Sequence, residues 1–246
     1  MKKIMVMCII LNTLVLSLTA SAKVSTDAGL SMIRTGGNTQ LETYNLKSKT
    51  TKEWEKRSTT LGAHYTLGTA VENNNKTESA RNWDASLKYE EVLSKRLNGV
   101  VSYQIEGNKF AGYDQRDNVD IGGKYKIINT DMTKFFTEVG LRYTVERATS
   151  RNSDNEDLFK DTKGILYAEY SHLLSKTVNY KFWIQYLPNF TRSDDYQINF
   201  EPSLNVTLSD MFSLSVAYTG RYDNQLNQGV EERLDWVHTT TLIAKF

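Results

Sequence analysis

The sequence has little of what would stabilise a protein covalently or carry it through a membrane as helices. Its 246 residues include a single cysteine, Cys8, which lies in an apolar run near the N-terminus. We expect this run to be removed, which leaves the remainder with no disulfide framework, thiolate metal site or cysteine nucleophile. The formal net charge is only +1, so nothing in the charge balance predicts a nucleic-acid partner.

Long apolar runs are also scarce, and the N-terminal one has the layout of a cleaved secretory signal. Two lysines follow the first methionine, the run from Ile4 to about Thr19 is short for a transmembrane helix, and Ala20-Ser21-Ala22 supplies small residues for cleavage. We therefore expect residues 1–22 to be a signal peptide and residues 23–246 to be the exported domain. No later run could cross a bilayer as a helix, so a membrane-spanning form would have to be a closed β-barrel.

The remainder of the chain is a series of alternating segments. Between Tyr196 and Leu208, for example, apolar residues alternate with polar ones, which is typical of a strand with one apolar and one polar face. We predict an all-β fold, a transmembrane antiparallel up-and-down β-barrel of about twelve strands. The predicted strands lie near residues 25–36, 39–51, 57–70, 79–92, 98–109, 118–128, 134–148, 162–174, 177–188, 195–208, 211–223 and 233–246. Alternation is weaker in the first, second and eighth, and we expect a β-bulge to absorb the missing N–H of Pro202.

The links between the predicted strands alternate in length. Every second link is short, as at 94–97, 175–176 and 209–210, whereas the intervening links are mostly longer and more polar, at 71–78, 108–117, 149–161, 189–194 and 224–232. Outer-membrane barrels have short periplasmic turns and longer external loops. The pattern therefore predicts the outer membrane of a Gram-negative bacterium, with both termini in the periplasm.

Aromatic residues fall at two levels along the predicted strands. One group lies toward the long-loop ends and the other toward the short-turn ends, as expected where aromatic rings meet the two membrane interfaces. The first group contains Trp83, Tyr143, Tyr186, Tyr196, Tyr222 and Trp236, and the second Tyr89, Tyr125, Phe135, Tyr180, Phe212 and Phe246. We expect the outer-membrane lipids and lipopolysaccharide to be partners of this surface, and terminal Phe246 to be recognised by the barrel assembly machinery.

The face that would line the lumen carries charges of both signs. The candidate lumen charges are Lys88, Glu106, Lys124, Glu138, Arg142, Lys181, Glu201 and Arg221. A strongly selective pore would show one dominant sign. The mixture therefore indicates either a weakly selective channel for a small solute or a lumen filled by ion pairs, which would have a structural role.

One predicted outer loop, residues 108–117, combines aromatic and charged residues. Phe110, Tyr113, Asp114 and Arg116 are candidates for a constriction or a ligand contact, and the alternative is a loop ordered by an Arg–Asp pair against the barrel mouth.

An outer-membrane lipid acyl hydrolase or protease is the alternative function. Such a hydrolase needs a histidine that activates a hydroxyl nucleophile, and the three histidines are His64, His172 and His238. Thr66 and Thr240 each lie two residues after a histidine, but threonine is a poor substitute for serine. Acidic pairs at 194–195 and 231–232 are solvated loop residues in the simpler interpretation. We therefore predict no catalytic residues, no metal and no cofactor.

The segment Ser31-Met32-Ile33-Arg34-Thr35-Gly36-Gly37-Asn38-Thr39 resembles the first hairpin of the salt-induced, YdiY-like outer-membrane family, domain of unknown function 481. The resemblance continues through Trp83-Asp84, the segment 89–97, the segment Asn108 to Arg116 and Gly122-Gly123-Lys124-Tyr125, and covers nearly all of the chain after the signal. It implies an outer-membrane barrel without established catalytic residues. The sequence does not identify a solute or an oligomeric state.

Overall fold

The twelve predicted strands are present, and they close into one barrel. The computed structural model describes residues 22–35, 40–72, 75–151, 155–226 and 230–246. The strands are β1 Lys23–Thr35, β2 Gln40–Glu53, β3 Arg57–Glu72, β4 Asn75–Val92, β5 Leu97–Asn108, β6 Tyr113–Asn129, β7 Thr133–Ala148, β8 Leu158–Leu173, β9 Val178–Pro188, β10 Tyr196–Thr207, β11 Phe212–Asp223 and β12 Leu234–Lys245. Each strand pairs antiparallel with its neighbours in sequence, and β1 pairs with β12. No helix long and apolar enough to cross a membrane occurs in the described ranges.

Side chains on the two faces of the barrel differ as the alternation predicts. The outer surface exposes large apolar residues such as Leu87, Ile121 and Leu141, whereas polar residues such as Asn118 and Thr144 are buried inside. Aromatic rings continue this outer surface toward the long-loop end. Tyr196 lies 5.8 Å, between ring centroids, from both Tyr186 and Tyr222.

Three strands extend further than predicted at the long-loop end. β4 begins at Asn75 rather than near 79, β6 at Tyr113 rather than near 118, and β8 at Leu158 rather than near 162. The links 73–74 and 109–112 are consequently short, so only three of the five long loops predicted at this end are long. Outside the hydrocarbon core of a membrane, both faces of a hairpin can be polar. The alternation of apolar and polar residues that marks a strand then disappears from the sequence, although backbone pairing continues.

The expectation of a bulge at Pro202 is wrong. Pro202 pairs with Phe182 of β9, and the β10–β11 register is the same before and after it, from Phe200 opposite Gly220 to Ser203 opposite Ala217. The ladder with β11 is simply interrupted at residues 201 and 202, because proline has no N–H to donate. The predicted signal peptide, except for residue 22, and the turn at 36–39 lie outside the described residues.

Candidate functional site

Charged side chains in the half of the lumen nearer the long loops form close pairs across strands. Arg142 of β7 donates to both carboxylate oxygens of Asp120 on β6, at 2.7 and 2.8 Å. Arg116 donates through Nε to Glu146 at 2.6 Å and lies 3.6 Å from Glu106. The strands place these partners opposite each other, because Asp120 is in register with Arg142 and Arg116 with Glu146.

A second set of pairs lies nearer the short-turn end. Lys88 donates to Glu138 at 2.7 Å and lies 3.5 Å from Glu90, which also accepts from Lys124 at 3.2 Å. These four groups link β4, β6 and β7 through alternating charges. Each charge has an opposite charge within reach, so the network holds its members in the lumen at a lower desolvation cost than isolated ions would have.

An aromatic stack adjoins this network on the inner face of β7, β8 and β9. The Phe136 and Tyr167 rings lie 5.9 Å apart, and Trp183 lies 6.0 Å beyond Tyr167. Lys124 places its ammonium 4.0 Å from the Phe136 ring, and Tyr167 donates to Glu169 at 2.6 Å. Glu169 in turn pairs with Lys181 at 3.0 Å. The middle of the lumen is therefore occupied by rings and paired charges.

Between this layer and the long-loop end the lumen opens into a cavity of about 180 Å³, which we name the outer cavity after that end of the barrel. It is lined by amide side chains, by aromatic rings and by charges of both signs. The lining includes Gln104, Glu106, Tyr113, Arg116, Asn118, Arg142, Lys163, Trp183, Gln185, Gln197, Asn199, Arg221, Tyr222, Asp223, Glu232, Arg233 and Asp235. Groups of this kind can hydrogen-bond a hydrated polar solute from several sides.

Lys163 is the most unusual member of this lining. The residue is only 2% exposed, and it lies directly opposite Arg142, another cation. Nearby Asp161 already accepts from Arg192 at 2.7 and 3.2 Å, and Asp195 accepts from Asn189 at 2.7 Å. Among the described residues, Lys163 has no ion-pair partner of its own. A buried ammonium without such a partner favours an anionic group or water at this position.

At the short-turn end a second space of about 570 Å³, the inner cavity, is open to solvent. Its lining contains more cations than anions. The charged members are Asp27, Lys49, Glu53, Arg57, Glu90, Lys124, Lys126 and Lys134. No described residue lines both cavities, and the layer of rings and ion pairs lies between them: Trp183 borders the outer cavity, and Glu90 and Lys124 border the inner one.

The candidate residues of the 108–117 segment divide between a short turn and β6. Phe110 is exposed in the turn, and Asp114 is exposed at the start of the strand. Tyr113 is buried with the Arg116 guanidinium 3.9 Å from its ring, and both line the outer cavity. The Arg–Asp pair considered from sequence is not what orders this segment, since Arg116 pairs with glutamates of β5 and β7.

Two further candidates lie inside the barrel. Glu201 accepts a hydrogen bond from Thr219 at 2.7 Å, and Arg221 lines the outer cavity. Sequence reasoning missed Lys163, Tyr167 and Trp183. Lys163 and Tyr167 lie in the weakly alternating eighth strand. For Trp183, the alternation places the ring on the inner face but does not show whether it packs against other side chains or lines a cavity.

Outside the strands, Arg192 holds the 189–195 loop against the barrel rim. Burial alone would lower the pKa of Arg192, but the hydrogen bonds and charge of Asp161 outweigh burial and raise it. The guanidinium therefore remains charged while it bridges Asp161 and Asp195, and the loop is fixed beside the outer cavity.

The three histidines do not share a site. His64 faces the lumen, where its Nε2 lies 2.9 Å from the Asn45 amide and 3.0 Å from the Thr66 hydroxyl. Its Nδ1 lies 3.6 Å from Asp84. His172 contacts Thr133 at 2.8 Å, and His238 is exposed on the outer face of β12.

A closed antiparallel barrel with an apolar exterior and a charged interior defines the outer-membrane β-barrel fold. The fold is shared with solved outer-membrane proteins of low sequence identity. NanC porin has a TM-score of 0.51 at 10% identity, with 91% of this chain and 98% of that chain covered. The COG4313 outer membrane channel from Pseudomonas putida F1 has a TM-score of 0.51 at 7% identity, with 94% and 97% covered. The translocator domain of autotransporter NalP from Neisseria meningitidis has a TM-score of 0.50 at 12% identity, with 94% and 89% covered.

The chain belongs to the family described as "Protein of unknown function, DUF481", which matches residues 28–246. No curated protein matches the sequence significantly.

Proposed function

We propose that the protein is a narrow outer-membrane channel for small polar solutes and that it has no enzymatic role. The observation that carries this proposal is the pair of solvent-accessible polar cavities inside one barrel, separated by a layer of side chains rather than by backbone. A wall of paired strands is rigid, whereas ion pairs such as Lys88–Glu138 can rearrange to let a solute pass. Because both signs line the lumen, we expect weak ion selectivity.

The setting of this channel is part of the proposal. Residues 1–22 act as a cleaved signal and residues 23–246 form the barrel, with both termini on the periplasmic side. Outer-membrane lipids and lipopolysaccharide surround the exterior, and the barrel assembly machinery recognises the strand that ends at Phe246. We also propose the YdiY-like, salt-induced subgroup as the relatives within the family. The names of two proteins of similar fold, a porin and an outer membrane channel, are compatible with a channel role.

Single-channel recording in a planar bilayer tests the channel. The purified protein should give small, reproducible conductance steps that are lost after heat denaturation. Replacing Lys163 with glutamine should shift the reversal potential in a salt gradient toward cation preference, because the outer cavity loses a cation. Lys176→Gln, the same change in the exposed turn at 174–177, is the matched control. A folded barrel without conductance steps would contradict the channel and leave a structural role.

A hydrolase is the second candidate, because Thr66, His64 and Asp84 are in contact in the order that nucleophilic catalysis requires. However, Thr66 is only 6% exposed, and Asn45 donates to its hydroxyl at 3.0 Å. A substrate would have to displace Asn45 to reach it. We therefore expect no esterase activity against short-chain p-nitrophenyl esters. Activity that disappears in His64→Gln and persists in His172→Gln would overturn this conclusion.

A further inference from the structure

The seam between β1 and β12, which closes the barrel, is paired only in its short-turn half. Thr26 and Phe246 exchange backbone hydrogen bonds of 2.9 Å, and the ladder continues from Asp27 opposite Lys245 to Leu30 opposite Leu242. Beyond that point no pairs join the two strands within their described residues. Yet β1 stays paired with β2 as far as Thr35, and β12 stays paired with β11 back to Leu234. The wall therefore contains a fork, bounded by residues 31–35 on β1 and 234–241 on β12.

The fork is large on the scale of the bilayer. The five residues of β1 that pair with β2 but not with β12 correspond to about 16 Å of strand at ~3.3 Å per residue. The fork begins in the middle of the barrel and continues toward the outer interface, where Trp236 lies. Unpaired N–H and C=O groups cannot face hydrocarbon without a large cost. A polar group must therefore reach this edge when the protein is in a membrane.

Two apolar side chains face the lumen at the same place, among polar neighbours such as Ser31 and Thr241. Ile33 and Val237 lie on the inner face and remain 36% and 42% exposed, although most inward positions elsewhere are polar. Their orientation follows from register, because Val237 is opposite Thr219, whose hydroxyl donates to lumen-facing Glu201. On the outer face of β12, by contrast, His238 and Thr240 are exposed where lipid would lie. A pair of apolar inner residues and two polar outer residues, the latter flanked by the apolar Trp236 and Leu242, thus coincide with the missing ladder.

We propose that the fork is a lateral opening through which a single-chain amphiphile from the outer leaflet contacts the lumen. Its acyl chain would pack on Ile33 and Val237, and its polar head would hydrogen-bond the free strand edge near His238 and Thr240. An amphiphile suits the fork because it supplies an apolar chain for the inner patch and a polar group for the open backbone. This inference goes beyond the solute channel and requires only that the barrel be in a membrane.

Disulfide trapping tests whether the fork is open. Extending the observed register places Met32 opposite Thr240, two residues beyond the last paired position. The variant M32C/T240C should stay reduced under mild oxidation, because a disulfide needs β-carbons about 4 Å apart. The control L30C/L242C lies in the paired ladder and should oxidise within the monomer.

Two results of this trapping experiment would overturn the proposal. One is equal intramolecular oxidation of both double variants, which would show that the strands are paired along the whole seam. The other is a disulfide-linked dimer of the single variant T240C, which would indicate that a second copy of the chain covers this edge.

Binding of a fluorescent long-chain fatty acid tests the occupant. The protein, held in amphipol to avoid competing detergent, should bind this probe saturably. The double variant I33S/V237S should bind at least tenfold more weakly, because both apolar contacts are lost. V100S, the same kind of change at an inward position on β5, is the matched control and should bind like the unmodified protein. Equal binding by I33S/V237S would overturn the proposal, and normal conductance steps in that variant would show that the channel is a separate property.

Discussion

The pair formed by Arg116 and Glu146 should contribute measurably to stability. Both side chains are about nine-tenths buried, at 11% and 8% exposure, and Arg116 donates to Glu146 at 2.6 Å. Glu146→Gln keeps the shape of the side chain but leaves the guanidinium with one carboxylate, that of Glu106 at 3.6 Å, beside the Tyr113 ring. Removing one member of a buried pair costs about 3–5 kcal/mol, and the remaining glutamate places the expected loss at the lower end, about 3 kcal/mol.

Equilibrium unfolding in urea, followed by tryptophan fluorescence in lipid vesicles, would measure this loss. With a denaturant slope of roughly 3 kcal/mol per M, the midpoint should fall by about 1 M. The control Glu231→Gln changes an exposed residue near β12 and should leave the midpoint unchanged. The double variant R116Q/E146Q should be less destabilised than Glu146→Gln alone, because no unpaired guanidinium remains. A midpoint for Glu146→Gln equal to that of the control would refute this account of the lumen.

Three further predictions concern the lumen, the wall and the N-terminus. Asp120→Asn should increase anion preference in planar bilayers, because Arg142 loses the carboxylate that it contacts at 2.7 and 2.8 Å; an unchanged reversal potential would contradict the pairing. Gly122→Ala should reduce the heat-modifiable fraction on gels, because its β-carbon would lie 2.6 Å from the Val139 carbonyl oxygen, whereas the control Gly123→Ala has 3.7 Å to its nearest neighbour; equal effects would argue against the register of β6 and β7. Sequencing of the protein from cell envelopes should begin at Lys23, and a start at Met1 would disprove signal cleavage.

The number of strands and the face of the barrel on which each side chain lies could be predicted, because both follow from the alternation of apolar and polar residues along the sequence. Inward residues such as Lys88, Glu138 and Arg142 follow from parity alone. Their pairing could not be predicted, because it depends on the stagger between strands. Lys88 and Glu138, for example, are 50 residues apart in sequence and meet across strands that are not adjacent in the chain. The fork was likewise hidden, since sequence alternation predicts strands and does not show where a ladder stops.

The pattern of backbone pairing indicates where the barrel can change shape. Within the described residues, ten of the eleven hairpin seams are paired over at least nine residues, whereas the closing seam has four pairs and two flanking hydrogen bonds. Breaking a complete ladder would expose many backbone groups at once, so these walls should stay fixed while the lumen layer and the fork rearrange. Passage along the lumen would then require only side-chain movements around Lys88 and Glu138. Lateral access would require movement at the free ends of β1 and β12, so mutations should separate the two properties.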